Sequence, residues 1–237
     1  MPESTAASAA LERAVRTIHD RLAEPLTVDD LARAAAFSKF HFSRVFLDAT
    51  GLSPGRFLAA VRLQEAKRLL LATDESVIDI CSRVGYASAG TFSSRFGQCV
   101  GLPPRTYRLR GGVGPGPVQR GPARAVPVRG RITGAGAGDL VFVGAFPGPM
   151  AQGRPVAVAV RAGDGPVTLH EVPTGRWHVV AHAAGPDGPL TFRGPVGDDP
   201  VAIALAPRAL LDPPLLTALP ELSLPEPIGR PEIALAA

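Results

Sequence analysis

The sequence predicts two domains, an all-α first half of seven helices followed by an all-β, sandwich-like second half. Up to about residue 110, apolar residues recur at the period of an α-helix, whereas after residue 125 they alternate at the period of a β-strand. Gly and Pro dominate residues 111–125, a composition typical of a linker. We therefore expect one domain at residues 8–110 and a second at residues 126–237.

The first two helices are predicted from apolar spacing and from a capping motif. The first helix is indicated by four apolar residues at helical spacing, Leu11, Val15, Ile18 and Leu22. Pro25 is expected to end it. The sequence Thr27-Val-Asp-Asp30 has the form of a capping box, in which two side chains satisfy each other's backbone N–H groups. It predicts the start of a short helix with a buried face formed by Val28, Leu31 and Ala35.

A third helix is predicted over residues 38–49, with the sequence S-K-F-H-F-S-R-V-F-L-D-A. Ser38 is expected to cap its start, and Gly51 to end it in a left-handed conformation. The spacing i, i+3, i+4 predicts a buried face of Phe42, Val45 and Phe46. Two short helices across a tight turn, the second richer in basic and polar groups, form a helix-turn-helix. In that arrangement the second helix lies in the major groove of DNA.

The same pattern returns about fifty residues later. Ser76-Val-Ile-Asp79 has the form of another capping box, and Ser88 is expected to cap a second recognition helix. Six pairs of identical residues stand at an offset of 50: Ser38/Ser88, Phe42/Phe92, Phe46/Phe96, Gly51/Gly101, Leu52/Leu102 and Pro54/Pro104. Unrelated helical hairpins can share caps and Phe positions, but six coincidences at one offset favour two similar units.

A long helix is predicted between the two units. Ser53 is expected to cap it, with Pro54 in its first turn, and the helical pattern continues to about Ala72. At about 1.5 Å per residue this helix would be roughly 28 Å long. Successive major-groove segments on one side of DNA recur about every 34–36 Å. The helix could therefore place two recognition helices in adjacent segments, so that a single chain reads a bipartite site.

Several segments between Leu26 and Arg110 carry a family resemblance. They are L-T-V-D-D-L-A-R-A-A, S-K-F-H-F-S-R-V-F, G-L-S-P-G-R-F-L, R-L-Q-E-A-K-R-L-L, I-D-I-C-S-R-V-G-Y, T-F-S-S-R-F and G-L-P-P-R-T-Y-R. This organisation resembles the AraC/XylS family of bacterial transcription regulators. The resemblance implies that both recognition helices enter the major groove, the first carrying more of the base readout. It also implies an activator or a repressor, with RNA polymerase as a further partner in the case of an activator.

The two predicted recognition helices differ at their exposed positions. In the first, the candidates for DNA contact are Ser38, Lys39, Phe40, Ser43 and Arg44. Arg and Lys pair well with guanine, and Phe can contact a thymine methyl group. In the second, the corresponding candidates are Ser88, Ala89, Gly90, Ser93 and Ser94, which offer no long donor. We expect the second unit to depend on phosphate contacts from Arg95 and Arg105 and on DNA shape.

Two residues of the first recognition helix have alternative roles. His41 is expected to pack against the neighbouring helix rather than to contact a base. Phe40 is either a groove contact or partly buried core.

The charge distribution also suits a polyanionic partner. The formal net charge is +4, and no acidic residue stands between Asp79 and Asp139, an interval with nine arginines. The alternative is that this interval is a solvated basic linker.

Six short, Val-rich segments predict the strands of the second domain. They are Val126–Ile132, Leu140–Phe146, Pro155–Arg161, Val167–Val172, Arg176–His182 and Pro200–Leu205. Short strands bounded by Gly, Pro or Asp favour a β-sandwich. Residues 165–183 resemble the hairpin of transthyretin-like or carboxypeptidase-regulatory-like sandwiches. Residues 207–237 are expected to wrap the sandwich or to form a short helix and tail.

No catalytic, metal or cofactor site is predicted. His178 and His182 fall on one face of a strand with His170 nearby, but no further ligand stands at a convincing spacing, so ordinary strand histidines are favoured. Cys81 and Cys99, the only cysteines, are interpreted as small buried hydrophobes. The amino terminus lacks the features of a signal peptide, and no apolar run is long enough to span a membrane. We therefore expect a cytoplasmic protein without membrane association.

Two functional hypotheses remain. The first is a DNA-binding transcription regulator, not an enzyme, whose β domain senses a small-molecule effector or mediates association, for example as a homodimer. The second is a DNA-tethered enzyme or ligand carrier whose activity resides in the β domain. The usual family order is inverted, because here the DNA-binding half comes first. No sensor function is therefore transferred from relatives with an N-terminal cupin.

Overall fold

The computed structural model of the chain describes residues 2–114, 117, 125–185, 187–197 and 200–219. The helices are α1 Pro2–Asp20, α2 Val28–Ala34, α3 Lys39–Thr50, α4 Pro54–Ala72, α5 Val77–Arg83, α6 Ala89–Val100 and α7 Pro104–Leu109. The strands are β1 Ala125–Thr133, β2 Leu140–Phe146, β3 Ala157–Ala162, β4 Gly165–Pro173, β5 His178–Gly185, β6 Gly188–Pro195, β7 Val201–Ala204 and β8 Ala206–Pro207. Most of the expected linker and all of residues 220–237 lie outside the described part.

The two predicted capping boxes and the cap predicted at Ser53 have different outcomes. Thr27 and Asp30 form the predicted capping box: the Thr27 Oγ1 accepts from the Asp30 N–H at 3.2 Å, and the Thr27 N–H donates to the Asp30 carboxylate at 2.9 Å. The Ser76 hydroxyl oxygen caps α5 by accepting from the Asp79 N–H. In a capping box the Ser76 backbone N–H would donate to the Asp79 carboxylate, whereas here the Ser76 hydroxyl donates to it, at 2.7 Å. Ser53 is the N-cap residue of α4 and Pro54 occupies its first turn, as predicted, but the Ser53 side chain makes no cap hydrogen bond.

An aromatic chain holds each recognition helix onto the rest of the helical domain. In the first unit, the Phe46 ring lies 5.3 Å from both Phe42 and Phe57 between ring centroids. In the second unit, the Phe96 ring lies 5.7 Å from Phe92 and 5.6 Å from Tyr107. Phe57 and Tyr107 stand fifty residues apart, so the repeat extends beyond the six identical pairs. Both chains belong to one continuous hydrophobic core that includes α4.

The β-rich region contains two sheets packed against each other. A three-stranded sheet has the order β4-β1-β7, in which β1 is antiparallel to β4 and parallel to β7. A five-stranded sheet has the order β3-β2-β5-β6-β8. Their facing sides form a shared core that includes Ile132 and Leu169 from the first sheet and Val143 and Val179 from the second. All six predicted strands have counterparts, with ends shifted by a few residues; β5, for example, begins at His178 instead of Arg176.

Two strands, β6 and β8, were not predicted from the sequence. Strand β6, with the sequence G-P-L-T-F-R-G-P, is partly buried on both faces and therefore lacks the alternation that marks a half-buried strand. Strand β8 is only two residues long. Both pair in the five-stranded sheet because β5 and then β6 present free edges to them. No helix among the described residues is long and apolar enough to cross a membrane.

Residues 208–219, which we call the strap, lie between the two domains. Leu215 and Leu219 pack against Phe142, Phe146 and Val180 on the outer face of the five-stranded sheet. Leu216 and Ala218 belong instead to the core of the helical domain. The described part of the carboxyl-terminal segment therefore wraps the sandwich, one of the two predicted outcomes, and it also joins the sheet to the helices.

Candidate nucleic-acid interface

The first recognition helix is fixed at both ends by the predicted residues. The Ser38 hydroxyl oxygen accepts from the His41 N–H at 3.4 Å, which satisfies one of the free donors at the start of α3. Gly51 ends the helix with a φ of 71°, and its N–H donates to the Leu47 carbonyl. Phe42 and Phe46 are fully buried beneath. The helix therefore presents its opposite face, starting at its amino-terminal turn, to solvent.

The structure resolves the alternatives for two residues on that face. The Phe40 side chain is 88% exposed, more than any other large hydrophobic side chain in the described part of the chain, so it is not part of the core. Exposing an aromatic ring to water is unfavourable. The Phe40 ring is therefore available for an apolar contact, such as one with a thymine methyl group. His41 packs edge-on against Phe37 of the turn, with 4.7 Å between ring centroids. The contact partner belongs to the turn rather than to the neighbouring helix, and the His41 side chain stays exposed.

The two cations of α3 have different surroundings. Lys39 forms an ion pair with Asp29 of α2, with 2.8 Å between Nζ and Oδ2, and both side chains are about half exposed. Pairs of this kind contribute about 0–1 kcal/mol, so DNA could displace Asp29 at small cost. Arg44 is exposed and has no hydrogen-bond or ion-pair partner among the described residues. Ser43 lies beside it and is partly buried.

The second recognition helix, α6, has the same frame and a less polar surface. The Ser88 hydroxyl oxygen accepts from the Thr91 N–H, and Gly101 ends the helix with a φ of 93°. The predicted contact residues differ in exposure: Gly90, Ser94 and Arg95 are exposed, whereas Ala89 and Ser93 are partly buried. Of the five, Arg95 alone carries a long donor group.

The turns of the two units also differ. In the first unit, four residues separate α2 from α3, and Ala36 takes the left-handed conformation with a φ of 58°. In the second unit, five residues separate α5 from α6, and Gly85 takes that conformation with a φ of 80°. The offset of the repeat is therefore 49 before the turn and 50 after it, which the identical pairs alone did not reveal.

Several arginines of the acid-free interval are engaged within the protein. Arg83 pairs with Glu75, and Arg108 donates to the backbone carbonyls of Leu70 and Glu75 at 3.0 and 2.7 Å. Arg110 donates to the Val113 carbonyl. These contacts hold helix ends together, so the charge run overstates the free positive surface. Arg95 and Arg105 remain exposed and without partners in the described part of the chain.

Two residues of this surface were missed in the sequence. Asp29, the partner of Lys39, was interpreted only as part of a capping sequence. Arg56 is exposed in the first turn of α4 and, like Arg95, its charge acts on Cys99 of α6. The sequence offered one signal for this exposed arginine: Arg56 stands just after a predicted helix start and before an apolar stretch. Burial is the largest influence on the Cys99 thiol and raises its pKa, while the two arginines partly oppose this effect.

Arg56 and Arg95 stand at a cleft of about 250 Å³ between the two domains. Buried Leu63, Met150 and Leu216 form part of its lining, and Gln98 and Gln152 add polar groups. The β domain contributes through the loop between β2 and β3 and through the strap. Neither contribution was predicted, because contacts between domains leave no periodic signal in a sequence.

The three histidines of the β domain lie on strands of two different sheets. His170 is exposed on β4, and His178 and His182 lie on β5. Burial, with a smaller effect of the Arg208 charge, lowers the pKa of His182 and so favours its neutral form. Within the described ranges, no group of three or more His, Cys, Asp or Glu side chains is placed to hold a metal ion.

Two capped recognition helices on a shared aromatic core define a double helix-turn-helix protein. A sequence model described as a helix-turn-helix domain matches residues 31–110. The HTH-type transcriptional activator AarP of Providencia stuartii is 34% identical over 92 residues, which cover 39% of this chain and 68% of AarP. The chain belongs to the AraC/XylS family of helix-turn-helix transcriptional regulators.

Two further similarities cover the same helical half of this chain. The uncharacterised HTH-type transcriptional regulator YobQ of Bacillus subtilis is 35% identical over 91 residues, 38% of each chain. The chain thus spans well under half of the length of this relative. The DNA-binding domain of the global transcriptional factor AdpA, solved in complex with a target DNA, is 32% identical with a TM-score of 0.41; the match covers 42% of this chain and 90% of that one. The likeness of residues 165–183 to transthyretin-like sandwiches stays a prediction.

Proposed function

We propose that this chain is a sequence-specific DNA-binding transcription regulator that reads a bipartite major-groove site with α3 and α6. One observation carries the proposal: the buried aromatic chain fixes α3 in place while its outer face presents Phe40 and a free Arg44 to solvent. A guanidinium without an internal partner can form the bidentate contact to guanine that specific readout uses most often. Family membership supports this role. Acting on bacterial DNA, the protein would work in the cytoplasm.

The two units would contribute unequally. In the first, Arg44, Lys39 and Ser43 would contact base edges, with Phe40 against a thymine methyl group and Ser38 at the helix start near the backbone. In the second, the small side chains at Ala89, Gly90, Ser93 and Ser94 would allow α6 to approach the groove closely. Ser88, Arg95 and Arg105 would then contribute contacts to phosphate oxygens. Affinity in the second half-site would come from phosphates and DNA shape more than from base identity.

For the β domain we propose a regulatory role. The interdomain cleft beside Arg56 and Arg95 combines an apolar lining with cationic and amide groups, which is the usual make-up of a small-molecule site at a domain boundary. An effector with an anionic group would suit it. Association of two copies through this domain and contact with RNA polymerase are further expectations of the same role.

The test is an in vitro selection of random DNA duplexes with the full chain, followed by affinity measurements on the selected duplex. Substitution Arg44→Ala should weaken specific binding about 5- to 150-fold, because one good bidentate contact is worth about 1–3 kcal/mol. Binding to a scrambled duplex should change little. Arg16→Ala, which removes an exposed arginine of α1 that pairs, among the described residues, only with Glu12 of the same helix, is the control. Unchanged affinity of Arg44→Ala for the selected duplex would refute the assignment of α3 as the base-reading helix.

A further inference from the structure

One loop of the β domain lies beside the carboxyl ends of both recognition helices. The loop, residues 147–156, joins β2 to β3. At the end of α3, a Cβ placed on Gly51 would lie 3.6 Å from the Pro149 ring. At the end of α6, the Gly153 N–H donates to the Cys99 carbonyl, and Gly101 packs against Arg154. The equivalent glycine caps of the two units therefore face the same loop.

The strap binds this loop into a single body. The backbone N–H groups of Leu216 and Thr217 both donate to the Ala151 carbonyl, at 2.9 and 3.0 Å. The Thr217 hydroxyl donates to the Gly153 carbonyl at 2.7 Å. The Ala218 N–H donates to the carbonyl of Val100, which is the last residue of α6, at 2.9 Å. We call loop 147–156 and strap residues 215–218 together the splint.

The linker helix α4 is attached to the splint as well. The Lys67 ammonium group donates to the Leu215 carbonyl at 2.9 Å and to the Thr217 carbonyl at 3.3 Å. Lys67 is 8% exposed, and Nζ lies 6.0 Å from the centre of the Tyr107 ring. A lysine is rarely buried unless its donors are satisfied, so these two carbonyls are what the position of Lys67 depends on.

Apolar burial reinforces the polar contacts. Met150 of the loop is 5% exposed and Leu216 of the strap is fully buried, and both are part of the core of the helical domain. Well-packed interiors do not deform continuously, because close contacts are lost when packed groups separate. The splint therefore attaches rigidly to the end of α6 and the middle of α4, and it lies beside the end of α3.

We propose that the splint sets the separation and rotation between the two recognition helices and so selects the half-site spacing that the protein accepts. A single rod such as α4 can bend and twist, whereas a second bridge alongside it restrains both motions. One base pair more or less moves a half-site by about 3.4 Å along DNA and about 34° around it. Following that movement would require the end of α3 or of α6 to leave the splint. This inference rests on the proposed bipartite DNA reading.

The test compares full-length variants by selection from a random duplex pool, with the spacing between the two enriched half-site motifs as the readout. Lys67→Met removes the attachment of α4, and Pro149→Gly removes the ring beside the end of α3. Each has a neighbouring control: Arg68→Met changes an exposed arginine of α4, and Pro147→Gly changes an exposed residue of the same loop. Circular dichroism establishes that each variant is folded.

We expect both splint variants to enrich the same half-site motifs as the wild type but with a broadened spacing. For Lys67→Met, the preference for the best spacing over spacings one base pair longer or shorter should fall about tenfold, the size of one lost hydrogen bond to a charged group. For Pro149→Gly, which removes only an apolar ring beside α3, the fall should be smaller. Both controls should keep the wild-type preference. If Lys67→Met does not fold, Pro149→Gly decides the question.

An unchanged spacing preference in a folded splint variant would overturn the inference while leaving bipartite reading intact. A wild-type selection that yields a single half-site, or no motif, would instead refute the proposed function itself, and the splint would then have no spacing to select. Equal broadening in the controls would show that the spacing depends on general stability rather than on the splint.

Discussion

The buried Lys67 makes the stability of the protein depend on pH in a way that its replacement should abolish. Burial lowers the pKa of the Lys67 ammonium group from 10.5 to about 8. Between these two values the unfolded chain binds a proton that the folded chain has released. Since stability rises with pH wherever the unfolded state binds more protons, the contribution of Lys67 to the free energy of unfolding should increase from pH 8 towards pH 10.

The magnitude follows from the same two values. A difference of about 2.5 between the two pKa values corresponds to about 3 kcal/mol, and most of it falls between pH 7 and pH 10. Above pH 10 the opposite trend begins, because burial raises the pKa of Tyr107 to about 12, whereas an unfolded tyrosine ionises near its ordinary value. The measurement should therefore stop at pH 10.

The assay is urea denaturation of the wild type and of Lys67→Met at pH 7, 8, 9 and 10, followed by the helical circular-dichroism signal. Subtracting the two curves removes groups that both proteins share, including the cysteines, whose pKa values are raised by burial. The difference should grow in favour of the wild type by about 2–3 kcal/mol from pH 7 to pH 10. Arg68→Met, which changes an exposed neighbour, should give a flat difference. A flat difference for Lys67→Met would refute a charged, desolvated Lys67 in the folded protein.

Three further predictions concern the helical domain. Phe40→Ala should weaken binding to the selected duplex while changing the free energy of unfolding by less than about 0.5 kcal/mol, since the ring is almost fully exposed; anisotropy titration and urea denaturation measure the two effects. Gly85→Ala should destabilise the protein by more than about 1 kcal/mol, because φ is 80° and the new Cβ would lie 2.8 Å from the Leu22 carbonyl oxygen. Gly55→Ala in α4 should stabilise it, because the new Cβ meets no atom within 4 Å. Urea denaturation that ranks the two variants in the other order would contradict this explanation. Arg105→Gln should reduce the slope of log affinity against log salt concentration by about 1, as expected for one lost phosphate contact, and an unchanged slope would remove Arg105 from the interface.

The helical half could be predicted closely because its signals are local. Capping at Ser38 and Ser88 and the glycine stops at Gly51 and Gly101 depend on a few adjacent residues, and the structure has each of them in place. Ser53 stands at the predicted N-cap position of α4, but nothing in the structure explains why its side chain makes no cap hydrogen bond. In the β half, strands buried on one face were found, whereas β6, half-buried on both, carries no periodic signal.

By itself the sequence determined the order of the helices, the internal repeat, the two candidate recognition helices and their unequal chemistry. These follow from periodicity and side-chain type, which act over a few residues. Only the tertiary structure decided which cations are free, since Lys39 meets Asp29 ten residues away and Arg108 meets carbonyls more than thirty residues away. It also decided that the β domain lies beside the ends of both recognition helices. Lys67 and Leu215 are 148 positions apart, and contacts at that separation depend on how whole domains pack.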